Sequence, residues 1–183
     1  MRKIPALIFI LLFATGAFAS DEETIANQMK DYWAAFSNAN FNRAAEYIYP
    51  ADLAAAKKEL LPVFLAAGES ANPELNSVAD SFFLNVPRES RSSISGAQVF
   101  IGLNNFIGAA NPQLFVALRD STIEILETAL GTADSATITY RILINGTPAT
   151  DLERFSRLNG KWYVRVKEDP RDTAGKFRQA FGL

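Results

Sequence analysis

From Asp21 to Ser37 the apolar side chains fall on one helical face: Ile25, Met29, Trp33 and Phe36 stand four, four and three residues apart, with Tyr32 beside them. That period predicts an amphipathic helix. Asp21, Glu22 and Glu23 occupy its first turn, where the helix dipole favours acids. After the polar break Asn38-Ala39-Asn40, a second helical piece is expected over 41–49, stopped by Pro50. Asp52 is placed to cap a third helix ending at Gly68, and Pro62 predicts a kink or break near 59–61. Asn72-Pro73-Glu74 sets a cap residue before a proline at the first helical position, the start of another helix. Residues 85–93 are polar and read as a loop. Ser95 with Gln98 forms a capping box for a helix over 96–109, and Asn111-Pro112 repeats the cap-and-proline start.

The period then changes from helical to alternating. Thr122–Leu130 reads as a strand with Ile123 and Ile125 on one face, and residues 136–167 read as three antiparallel strands. Two Asn-Gly pairs, Asn145-Gly146 and Asn159-Gly160, mark the turns, because Asn-Gly accepts the positive φ angles of a type I′ hairpin. Two-residue turns there fix the register: Phe155 faces Val164, Glu153 faces Val166, Arg157 faces Trp162 and Tyr140 faces Asp151. Alternation puts Ile138, Tyr140, Ile142, Phe155, Trp162, Val164 and Val166 on the core face. The same parity carries Asp151, Glu153 and Arg157 onto it. Arg141, Arg154, Arg165 and Lys167 fall with Tyr163 on the opposite, cationic face. After Asp169-Pro170, residues 173–181 form either a short docked helix or a frayed tail.

The expected fold is therefore α+β, with N-terminal helices packed on a curved C-terminal antiparallel sheet of about four strands. The first residues are expected to stand outside it. Arg2 and Lys3 precede an apolar run, 4–16, too short to span a bilayer comfortably, and Ala17-Phe18-Ala19 fits the small-x-small cleavage rule. Residues 1–19 thus read as a signal peptide cut before Ser20. Residues 20–183 read as one exported domain, periplasmic or secreted, with no membrane span after cleavage. Absence of cysteine excludes a lipoprotein anchor and thiolate chemistry. Absence of histidine excludes Ser-His-Asp and Cys-His hydrolysis and His-ligated zinc. No cofactor or metal motif is present. The net charge of −2 argues against a nucleic-acid partner.

Two acids, an arginine and a tyrosine on an otherwise apolar sheet face carry the candidate chemistry. A buried ionised carboxylate costs several kcal/mol unless paired. Either Glu153 or Asp151 pairs with Arg157 or meets water at an edge, or the group lines a ligand pocket. The pocket reading nominates Tyr32, Trp33, Tyr140, Asp151, Glu153 and Arg157 as ligand-binding residues, and none as catalytic.

The aromatic-rich first helix with its polar break, DYWAAFSNANFNRAAEYIYP, the further helices, and a final meander ending in NGKWYVRV together resemble the NTF2-like, or SnoaL-like, superfamily. That resemblance implies a curved sheet wrapped around the first helix, leaving a cone-shaped apolar pocket. It implies either a non-catalytic domain that binds a small apolar or amphipathic ligand or a protein partner, or an isomerase, cyclase or dehydratase. In the second case Tyr32 and Asp151 or Glu153 would serve as tyrosine and carboxylate. The chain departs from the usual pattern in showing no hairpin between its helices, which favours the binding reading. Family members often dimerise through the outer sheet face. Here Arg154 opposing Arg165 asks for an acidic cover, from a second copy or from the chain's own helices.

Overall fold

The structure is a computed structural model and describes residues 20–132 and 134–183; the leader expected over 1–19 lies outside the described residues. Helix α1, Asp21–Ser37, has the bounds its apolar period predicts. Ser20 caps it by accepting the Glu23 N–H at 3.2 Å, and Ile25 and Met29 are wholly buried. Helix α2 is shorter than expected, Phe41–Ala45, because the chain then extends. Ile48 bridges Val164 in parallel fashion, with Tyr49 N–H donating to the Val164 carbonyl and Val164 N–H to that of Tyr47.

Helix α3, Pro50–Glu69, corrects two expectations. Pro50 begins the helix at its first position instead of ending the previous one, so Asp52 lies inside the first turn and is no cap. The helix also continues through Pro62, so of the expected kink or break the break does not occur. Pro62 and Lys58, one turn earlier, are both exposed, so the carbonyl that loses its partner faces water. Helix α4, Pro73–Phe82, follows its Asn72 cap, and residues 85–93 contain a short 3-10 helix, Arg88–Ser93. The capping box of Ser95 and Gln98 opens α5, Gly96–Ala110. Helix α6, Pro112–Arg119, starts without a side-chain cap from Asn111. The C-terminal segment is a docked helix, α7, Pro170–Phe181, capped by Asp169.

Strands β1 (Thr122–Leu130), β2 (Ser135–Ile144), β3 (Thr147–Leu158) and β4 (Lys161–Val164) form one antiparallel sheet in sequence order. Both hairpins turn on Asn-Gly with positive φ, 51° at each asparagine and 78° at each glycine. The register is the one these turns dictate: Tyr140 pairs with Asp151, Phe155 with Val164 and Arg157 with Trp162. A bulge between Ile125 and Glu127 leaves Leu126 on the exposed side of β1.

Two main cores result. Ile138, Tyr140, Phe155, Trp162 and Val164 of the sheet pack against Ile25 and Met29 of α1, with Tyr47 and Ile48 closing the end. Helices α3, α4, α5 and α7 bury a second core around Phe64, which stacks on Phe82 at 3.9 Å and meets Phe177 and Phe181 at 5.3 and 5.8 Å. Close approach of α5 to α4 needs Gly102, where an added Cβ would stand 2.5 Å from the Phe82 carbonyl.

Candidate functional site

Strand alternation brings Tyr140 and Glu153 onto the inner sheet face, opposite Tyr32 on α1. Glu153 is 7 % exposed, and its Oε1 is buried without a hydrogen-bond partner among the described residues. Asp151 lies beside it at the sheet margin, accepting the Tyr140 hydroxyl at 3.4 Å and the Leu152 N–H at 2.8 Å. The cation of this cluster is Lys167. Its Nζ lies 2.6 Å from Asp151 Oδ2, 3.5 Å from Glu153 Oε2 and 5.8 Å from the centre of the Tyr140 ring.

This corrects the outward placement of Lys167. Strand β4 ends at Val164. Arg165 N–H still bonds the Arg154 carbonyl at 2.8 Å, but Val166 N–H leaves the ladder for Asp52 Oδ2 at 2.9 Å. Alternation lapses there, and Lys167 swings to the inner side. Arg157, the expected partner of the acids, instead bonds Asp21 at 3.3 Å and lies over Trp162, whose Nε1 also donates to Asp21 at 3.1 Å. Trp33 is one helical step from Tyr32, its ring 6.5 Å from that of Tyr140 and its Nε1 donating to Ser121 Oγ at 3.2 Å. Tyr32, Tyr140, Asp151 and Glu153 thus come together, Trp33 flanks them, and Arg157 stands apart.

Burial sets the protonation of the group. Desolvation pushes the Glu153 carboxyl up to about 7, against the opposing pull of Lys167. Desolvation, then the Glu153 charge, raises both the Tyr32 and Tyr140 phenols above their ordinary range. For Asp151, desolvation acts upward, but Lys167 and the Leu152 N–H together hold it below the usual carboxylate value. The arrangement therefore keeps two acids apart: Asp151 ionised on Lys167, Glu153 changing charge near neutrality.

A large apolar space lies next door. A cavity of about 600 Å³ opens where α1 ends, between α3, α5, α7 and the segment after β4. Leu53 and Leu60 of α3, Phe100, Leu103 and Ile107 of α5, and Phe177 of α7 form its apolar walls. Its polar lining comes from Asp52 of α3, Asn104 of α5, Lys167 and Glu168 after β4, and Thr173 and Lys176 of α7. Of the residues nominated from sequence, none lines this cavity. Lys167 joins it to them. Two other clefts have more polar linings: one of about 430 Å³ beside Arg154, Ser156 and Arg165, and one of about 400 Å³ beside Asn42, Asn85 and Asn105. Sequence periodicity points to the walls of α3 and α5 only as buried stripes; that they fail to close is a tertiary property. Pro170 begins α7, and Lys167 lies between it and the last strand residue, Val164.

The outer sheet face exposes Leu126, Leu143 and Leu152. Of its opposed cations, Arg165 is met within the chain. Asp52 accepts from Arg165 Nε at 2.8 Å and Nη2 at 2.9 Å, which raises the Arg165 pKa, while Arg154 has no ion pair among the described residues.

No family model matches the sequence, and no curated protein matches it. Among solved structures, the chain is similar to a Campylobacter jejuni protein named "Putative NTF2-like transpeptidase", at 15 % identity and a TM-score of 0.38, covering 78 % of this chain and 98 % of that one. Among the described residues, no helix is long and apolar enough to cross a membrane.

Proposed function

We propose that the chain binds a small amphipathic molecule in the cavity between α3, α5 and α7, without chemistry on it. The observation that carries this reading is the space itself, about 600 Å³ walled by Leu53, Leu60, Phe100, Leu103, Ile107 and Phe177. Apolar wall left against water costs about 25 cal/mol per Å², which an apolar occupant recovers. The volume lies in the range of small-molecule pockets, and a mostly apolar lining with a few polar groups, Lys167 and Lys176 among them, suits an amphipathic ligand. The test is a saturable titration with the neutral dye Nile red. Wild type is expected to take up one dye per chain with a blue-shifted emission. Ala56→Phe, which puts a ring into the cavity, is expected to lose that uptake while unfolding at the wild-type temperature. Equal dye binding by the filled variant would remove the reading.

This binding takes place, in our reading, after export. Positive Arg2 and Lys3, the apolar run and small Ala17 and Ala19 support a leader removed before Ser20. N-terminal sequencing of the mature protein should begin at Ser20; a chain that keeps Met1 contradicts it.

Glu153 favours a second reading, proton transfer within a bound substrate. A buried carboxyl near neutrality, with one free oxygen and two phenols around it, suits a general acid or base. An activity found in the protein and left intact by Glu153→Gln would exclude it.

A further inference from the structure

One side chain belongs to both the cavity and the carboxylate cluster. Lys167 lines the cavity, while its ammonium serves two acids, Asp151 at 2.6 Å and Glu153 at the longer 3.5 Å. The groups facing Glu153 are Tyr32 from α1, Tyr140 from β2, Asp151 from β3 itself and Lys167 from the segment after β4. The other acids at the cavity are committed elsewhere. Asp52 is held by Arg165 and the Val166 N–H, and Glu168 accepts from Thr173 at 3.2 Å and Lys176 at 3.5 Å. Of the two lysines at the cavity, Lys167 is the one whose ammonium also neutralises Glu153, at 3.5 Å, while Lys176 faces Glu168.

We infer that the cavity's ligand carries an anionic head group that Lys167 engages, and that Glu153 takes up one proton from solvent when it does. This deepens the cavity reading above and rests on it. A head group that draws the ammonium toward the cavity leaves Glu153 without a counterion, facing ionised Asp151 in a desolvated place. An ionised carboxylate is strongly disfavoured there, and the neutral carboxyl replaces it. Entry of one negative charge is then matched by entry of one proton, which Glu153 Oε1, buried and unpartnered, accepts. Because burial already brings Glu153 to about 7, the exchange falls in the neutral range.

The test displaces Nile red from the whole chain with decane-1-sulfonate and, separately, with decan-1-ol. A sulfonate stays ionised throughout, so any pH dependence belongs to the protein. Sulfonate affinity is expected to weaken by about tenfold between about pH 6 and about pH 8, while decanol affinity stays level. Glu153→Gln should hold the tighter sulfonate affinity across that range. Lys167→Met should lose the sulfonate and keep the alcohol. If decanol displaces the dye but sulfonate does not, or sulfonate does so without pH dependence, this inference fails and the cavity reading stands. If neither displaces the dye, both fail.

Discussion

Arg165 and Asp52, 113 residues apart, meet through two nearly parallel hydrogen bonds of 2.8 and 2.9 Å, and Asp52 also takes the N–H of Val166 at 2.9 Å. One carboxylate thus ties the first turn of α3 to the end of the sheet, covers the outer-face arginine, and frees the chain beyond Val164 to turn inward. With Asp52 only 15 % exposed in its side chain, its removal leaves a partly desolvated guanidinium without its charged partner. Asp52→Ala is expected to lower stability by about 2 kcal/mol in urea unfolding. A change within about 0.5 kcal/mol would show that the pair is decorative.

The stability of the protein should fall as pH rises toward neutrality. Glu153 titrates at about 7 when folded and near about 4.3 when unfolded, so between those values the native state binds more protons. Stability from this group is complete below the unfolded value and is lost as pH rises through about 7, by on the order of 3 kcal/mol. Asp151 works in the opposite direction: its depressed folded pKa gives stability present above the unfolded value and lost as pH falls through the folded one. An optimum on the acid side of neutrality follows. Thermal unfolding across pH measures it, and Glu153→Gln should flatten the neutral limb alone.

The face assignment predicts a contrast between neighbours on β3. Phe155 is 1 % exposed and Arg154 points outward with no ion pair among the described residues. Phe155→Ala should cost about 3–5 kcal/mol, and Arg154→Ala less than about 0.5 kcal/mol. Similar costs for the two would mean that the strand has been placed with the wrong side inward.

Gly102 predicts the rigidity of the helical layer. An alanine there drives its Cβ to 2.5 Å from the Phe82 carbonyl, and backbone cannot yield as a side chain does. Gly102→Ala should therefore destabilise by about 1–3 kcal/mol despite its better helix propensity, as read by a lower melting temperature. A stabilised variant would show that α4 and α5 separate freely.

What could be read from sequence follows from how local each cause is. Asn145-Gly146 and Asn159-Gly160 carry their turn geometry within two residues, so the register of three strands was legible up to Phe155–Val164, with the inward set of Ile138, Tyr140, Phe155 and Trp162. The expected Glu153–Val166 pair is not formed, because Val166 turns to Asp52. The first helix was equally legible from the Ile25–Met29–Trp33–Phe36 spacing. Asp52 was misjudged because a cap and a first-turn carboxylate look alike until Arg165 arrives from the far end of the chain. Pro62 does not break α3, and the exposure of Pro62 and Lys58 there is set by how the helix packs, which is not written locally. Lys167 obeyed strand parity on paper but stands past the last paired residue. The cavity needed four distant segments to meet imperfectly, and no periodicity encodes a gap.

The account stands on where an apolar guest sits. Methyl-resolved NMR of the protein titrated with decan-1-ol should move the signals of Leu53, Leu60, Leu103 and Ile107, which wall the cavity, and leave Ile25 and Ile138, in the closed sheet core, unmoved. Perturbations centred on Ile25 and Ile138, or on the outer-face residues Leu126, Leu143 and Leu152, or on no methyl at all, would contradict it.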